Sequence, residues 1–153
     1  MTIRPATDRD VESLTNMNHQ LVKDMVVAEN WSHDVYRNRF GEWVAGAEWS
    51  VDLFEEDSDI VGYSVYQPRP DYYDETQMVI YIRQFFIERN HRRSGIGRSA
   101  FDHLFESRFP EHDGLALDVL STNPEGMKFW EALGFDTYFT AMKKHPESPG
   151  SQD

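Results

Sequence analysis

"NHRRSGIGRSAF", residues 90–101, decides how this chain is read. Before it runs "QMVIYIRQFFI" (77–87), apolar on both faces; after it Ile96, Ala100, Leu104 and Phe105 recur at helical spacing. The order is strand, glycine-bearing turn, helix. Glycines let backbone approach a ligand closely and accept positive φ, so successive N–H groups can converge on one anion. The helix opening there adds its dipole, roughly 0.3–1 kcal/mol and up to about 2 in a sheltered site. Each hydrogen bond to a charged oxygen adds about 1.5–3 kcal/mol. Arg92, Arg93 and Arg98 bring mobile positive charge to the same place. The segment suits a polyphosphate.

Other readings of the turn stay open. The dinucleotide fingerprint wants a third glycine three residues on; position 100 is Ala100, which that pattern tolerates. It also wants an acidic residue about 20 positions later, at the end of a second parallel strand. Asp118 is nearest and reads as mid-strand. The Walker pattern is absent. The blandest reading is a tight turn with solvated arginines.

The turn stands out because the chain is acidic: 27 Asp and Glu against 15 Lys and Arg, a formal net charge of −12. Such a chain repels nucleic acid and anionic lipid on average, so neither is expected as a partner. Solubility explains the charge most simply; the functional alternative is a field that draws in cationic substrates such as amines. The 153 residues suit one domain, residues 1–144, with a disordered Pro/Ser/Gly tail at 145–153. Absence of cysteine excludes disulfides, thiolate metal sites and a catalytic thiol. His91, His103 and His112 lack ligand spacing, so no metal is expected. "MTIRPATDRD" has no apolar leader core, and no apolar run approaches the roughly 18 residues of a membrane span. A cytoplasmic protein is the expectation.

Along the chain, "TIRPA" reads as a first strand, and Thr7 or Asp8 caps a helix through about Met25 with Val11, Leu14, Met17, Leu21 and Met25 as its apolar stripe. Residues 26–33 read as a loop, and Ser32 or Asp34 starts a second helix carrying Tyr36, Phe40, Trp43 and Val44. "EWSVDLFEED" and "DIVGYSVYQP" form a hairpin, with Trp49, Val51 and Leu53 inward and Pro68 and Pro70 as its stop. The strand at 77–87 follows, then a helix from about Gly95 to Phe109 ended by Pro110. "LALDVL" (115–120) is a short strand. Asn123 caps the last helix, Pro124 sits at its first position and Gly134 stops it. "FDTYFTAMKK" (135–144) alternates like a final strand. The sum is a mixed α/β sandwich.

These residues resemble the GNAT superfamily of acetyl-CoA-dependent N-acetyltransferases. One signature is Arg or Gln, two residues, Gly, one residue, then Gly or Ala, present as Arg92-Arg93-Ser94-Gly95-Ile96-Gly97. The second is an Asn after the next strand, then an aromatic pair and Gly-Phe, present as Asn123 and "FWEALGF" (129–135). "IRPATDRDVESL" looks like the family's first strand and helix, and the resemblance runs from residue 2 to about 144. It implies a twisted, mostly antiparallel sheet of about six or seven strands flanked by helices on both faces. It also implies that backbone groups of Phe86 and Ile87 pair with a pantetheine arm. Amides of Arg92, Arg93, Ser94, Gly95, Ile96 and Gly97 would hold the pyrophosphate beside Arg98, and the Asn123 side chain would meet the pantetheine. An amine acceptor would enter past residues 26–34, where Glu29, Trp31, His33 and Asp34 suit an amine with some apolar surface.

Two family positions differ. Trp130 stands where many relatives carry a Tyr that protonates the leaving thiolate, and Tyr81 where some place a catalytic Glu. Only about one amine in a few thousand is deprotonated at neutral pH, so a base is needed. Tyr81, Glu88, Tyr138 and Glu29 are the candidates. With no cysteine to carry an acyl group, the expected route is direct transfer to a primary amine of a small molecule or peptide within a ternary complex. A non-catalytic acyl-CoA-binding module is the rival. The acceptor, the preferred acyl chain and a homodimer are left open.

Overall fold

The computed structural model describes residues 1–25, 31–109 and 111–146. The first helical segment begins where Thr7 meets Asp10: the Thr7 N–H donates to Asp10 Oδ2 at 2.8 Å, closing a capping box. A single 3₁₀ turn then leads into α1 (Val11–Asp24). Ser32 caps α2 (His33–Ala45), its hydroxyl accepting from Val35 N–H at 3.3 Å. The strands are β1 (Thr2–Pro5), β2 (Ser50–Glu56), β3 (Asp59–Pro70), β4 (Met78–Ile87) and β5 (Leu115–Leu117), with α3 (Ile96–Arg108) and α4 (Pro124–Ala132) around β5.

The sheet has strand order β1-β2-β3-β4-β5, antiparallel except for the parallel β4–β5 pair. Asp57 and Ser58 close the β2–β3 hairpin with φ of 51° and 71°, the twist a two-residue turn requires. A bulge interrupts β4: Val65 pairs with Gln84 and Tyr66 with Ile82, leaving Arg83 without a partner.

Both sheet faces are covered. Leu14 and Met17 of α1 and Phe40 and Trp43 of α2 pack on Trp49, Val51, Leu53, Tyr63, Val65 and Phe86. On the other face Ala100, Phe101 and Leu104 of α3 meet Phe54, Val61, Tyr66, Ile82 and Ile87. Phe101, not Phe105, completes the buried face of α3; Phe105 is 40 % exposed. Arg108, in the last turn of α3, donates from Nε and Nη2 to the two oxygens of buried Asp52 at 3.0 and 3.2 Å, and the Tyr66 hydroxyl donates to the same carboxylate. Helix and sheet are latched there.

Five strands are present among the described residues, fewer than the six or seven expected. The expected final strand at 135–144 does not form one. β5 is only three residues long and offers little ladder to extend. The aromatics of that segment go elsewhere: Phe139 stacks on Tyr72 at 4.7 Å, and Tyr138 meets Tyr73 at 5.5 Å and Asp71 at 2.7 Å.

Candidate active site

β4 leaves the sheet at Ile87, and a 3₁₀ turn over Arg89–His91 redirects the chain. The Arg92 amide closes that turn on the Arg89 carbonyl at 3.2 Å, so it is consumed internally. Arg93 then adopts φ 63° and Gly95 φ 82°, and α3 opens directly after Gly95. Ser94 Oγ donates to the His91 carbonyl at 2.7 Å and braces the bend. Among the described residues no backbone carbonyl accepts from the amides of Arg93, Ser94, Gly95, Ile96, Gly97 or Arg98. Six consecutive donors are thus presented at a helix N-terminus. A Cβ on Gly97 would lie 3.2 Å from the Phe129 ring, so α4 packs directly on this turn.

The arginines of the turn have different tasks. Arg92 is a strut, not mobile charge: its Nε donates to the Ile87 carbonyl at 2.7 Å and its Nη2 to Asp24 at 2.7 Å. Arg89 reaches the same carboxylate at 2.6 Å. Burial opposes ionisation of Asp24, but these two guanidiniums outweigh it and hold the carboxyl below its usual range. Asp24 ends α1, so the ion pairs tie the turn to that helix. Arg93 and Arg98 stay exposed and carry no ion pair among the described residues.

Beside the turn the sheet splits. β5 pairs with β4 only at Ile80, Tyr81 and Ile82; from Arg83 to Ile87, β4 has β3 on one flank and no strand on the other. Of the two residues expected to meet a pantetheine there, Phe86 buries its ring 5.8 Å from Tyr63, and Ile87 already gives its carbonyl to Arg92. Asn123 accepts from Gly126 N–H at 3.0 Å and caps α4. Trp130 packs among Phe129, Phe85 and Phe135 at 4.9, 5.2 and 5.3 Å.

The three expected proton handlers among the described residues do not share a site. Tyr81 and Glu88 are seven residues apart on an extended chain, about 23 Å at roughly 3.3 Å per residue. Tyr138 is 59 % exposed beyond the other end of β4, bonded to Asp71, which holds its hydroxyl above the ordinary value. Tyr81 stands at the split itself. Its hydroxyl donates to Asp118 at 2.7 Å, and burial, with that carboxylate, pushes it up to about 12. Asp118 lies one residue past β5, beside the split; only the polar break in "LALDVL" signalled it.

On the expected acceptor side, Glu29 lies outside the described residues. Trp31 is 48 % exposed and packs 5.6 Å from Tyr36. His33 is turned back to α1, with Nδ1 3.1 Å from His19 Nε2 and Nε2 2.8 Å from Glu12. Asp34 is exposed in the first turn of α2. The same sheet face carries a second group that sequence reasoning passed over: Trp43, Trp49, Arg69 and Arg83, around Tyr81. Residues from α2, β3, β4 and the link just before β2 meet there, and no local pattern announces it.

A strand that loses its neighbour halfway, followed by a bend with six amides that no backbone carbonyl accepts from among the described residues, stands at the centre of this α/β fold. In comparison with known proteins, the model of the Acetyltransferase (GNAT) family matches residues 14–135, and the chain belongs to that family. A single-substitution mutant of the BH1408 protein from Bacillus halodurans superposes with a TM-score of 0.79 at 24 % identity, covering 96 % of this chain and 100 % of that one. The aminoglycoside N-acetyltransferase AAC(6')-Iy, solved in complex with CoA, gives 0.74 at 16 % identity over 96 % and 95 %. The ribosomal-protein-alanine N-acetyltransferase of Brucella melitensis biovar Abortus 2308 gives 0.70 at 14 % identity over 95 % and 99 %. These likenesses show the fold. No curated protein sequence matches the chain.

Proposed function

We propose that the protein is an N-acetyltransferase that moves an acetyl group from acetyl-CoA to a primary amine by direct transfer in a ternary complex. The row of unpaired amides from Arg93 to Arg98, next to the open flank of β4, carries this reading. Donors at a helix N-terminus suit a pyrophosphate, and the exposed Arg93 and Arg98 suit the added charge. The unpaired flank of β4 suits an extended arm, which can bond to backbone as an added strand does.

Bound acetyl-CoA supplies the acetyl group as an activated thioester. The chain's own residues must position the amine and remove its proton. Tyr81 and Asp118 are suited to the second task. The phenol stays protonated at neutral pH and donates to Asp118. Its remaining lone pair can accept from an incoming ammonium, and the proton passes along to the carboxylate. As the N–C bond forms, the C–S bond breaks and the thiolate leaves. An ordinary thiol has a pKa near about 8.5, so that departure needs little help.

The rival is a module that binds acyl-CoA without turning it over. Trp130 favours it, because its ring is embedded among phenylalanines where many relatives have a tyrosine acid. Calorimetric titration of the full chain with acetyl-CoA, then free-thiol release across a panel of amines, separates the two. The transferase reading expects saturable binding and amine-dependent release. Binding without release on any amine leaves the module, and no binding removes both.

A further inference from the structure

The arginines of this chain divide by what they face. Arg4, Arg37, Arg89, Arg92 and Arg108 each meet a carboxylate. Arg69 and Arg83, like Arg93 and Arg98 at the turn, meet none among the described residues, although acidic side chains outnumber basic ones by 27 to 15. Both lie on aromatic rings instead. Arg69 Cζ is 3.7 Å from the centre of the Tyr81 ring, and Arg83 Cζ is 4.9 and 5.1 Å from those of Trp43 and Trp49. Trp49 and Tyr81 are themselves 6.5 Å apart, and Arg39 also lies over Trp43 at 4.6 Å, so three guanidiniums and three rings form one cluster at the edge of the core.

Its position matters. Arg83 is the bulged residue of β4 and the first beyond the β4–β5 pairing, so it stands where the strands part. Both arginines act on the Tyr81 hydroxyl, opposing the upward shift imposed by burial and Asp118. A guanidinium laid on a ring keeps its in-plane N–H donors directed outward, arranged to suit a carboxylate. Asp118, bonded to Tyr81, supplies the opposite charge within the same site.

We infer that the acceptor is a small amine that also bears a carboxylate: Arg83 and Arg69 take the carboxylate, and Tyr81 with Asp118 takes the ammonium end. This rests on the acetyl-transfer reading and names its substrate class. It opposes the pull of the whole chain, whose net charge of −12 favours cations. Contact wins over distance here, since charges more than about 8 Å away are screened at physiological salt.

The test uses the full chain, acetyl-CoA, the common amino acids, their primary amides and a polyamine. Initial rates of thiol release should favour acids over their amides at least ~10-fold in kcat/KM, and less at high salt. Arg83→Gln should raise KM for the acids ~10-fold and abolish the difference from the amides, while Arg83→Lys keeps part of it. Arg69→Gln serves if Arg83→Gln fails to fold. Equal use of acids and amides, preference for the polyamine, or an unchanged KM in the folded variant overturns the inference while leaving acetyl transfer standing. Calorimetry on the acetyl-CoA-loaded protein separates the opposite failure: acids that bind, lose affinity in Arg83→Gln and release no thiol sustain the carboxylate site and remove the transferase reading. Acids that neither bind nor react overturn the inference.

Discussion

Gly95 and Tyr81 show how single residues serve the proposed chemistry by different means. Gly95 adopts φ 82° with nothing within 4 Å of where a Cβ would stand, so its requirement is conformational, not spatial. Gly95→Ala should therefore cost about 1–2 kcal/mol in chemical denaturation, the left-handed penalty. It should also weaken acetyl-CoA binding roughly tenfold in calorimetry, because the amides of the bend lose their common aim. Tyr81 serves through its hydroxyl. Tyr81→Phe removes the link to Asp118 and keeps the ring beneath Arg69. Its kcat should fall roughly 10²-fold with acetyl-CoA affinity unchanged. An undiminished kcat in steady-state assays would move the proton route away from this pair.

At the scale of elements, the decisive joints are polar. Arg108 fixes the last turn of α3 to β2 through Asp52, which is 3 % exposed. Arg108→Ala leaves that carboxylate facing only Tyr66. The guanidinium is partly exposed, so the expected loss is about 2–3 kcal/mol by urea denaturation, at the low end for breaking a buried pair. Asn123 is a cap as much as a candidate ligand contact, and Asn123→Ala should cost about 1 kcal/mol. Helix ends are legible in sequence because capping is local: Thr7, Ser32, Asn123 and Pro124 each do in the structure what their side chains favour over a span of a few residues. The segment at 135–144 misleads for the complementary reason. Its alternation is necessary for a strand but does not supply a neighbour, and its aromatics found Tyr72 and Tyr73 instead.

For the molecule as a whole, stability should depend on pH at both extremes. Burial holds the hydroxyls of Tyr63 and Tyr66 well above the ordinary tyrosine value, and Tyr81 is pushed up to about 12. The folded state prefers these phenols protonated. Their contribution is complete below the unfolded value near about 10 and is lost as pH rises toward about 12 and beyond. Alkaline unfolding, followed by circular dichroism, should coincide with the appearance of tyrosinate absorbance for these residues. The acid side mirrors it: hydrogen bonds from Arg4 hold Asp10 low, and the Arg92 and Arg89 pairs do so for Asp24 against burial. That stability is present above the usual carboxyl value and lost as pH falls through the depressed one.

What sequence alone determined is what nearby residues decide among themselves: the caps, the hairpin, the strand–turn–helix order and the glycine bend with its conformational freedom. Their physics acts over a few residues, so composition and spacing report it. Only the folded chain decided which arginines are struts and which stay available. It brought Asp24 to Arg92 across 68 positions and Asp118 to Tyr81 across 37. It also set Arg83 on two tryptophans at the point where β4 and β5 part. Charge acts through space without regard to chain order, and the strand register and the bulge at Arg83 determine which charges meet.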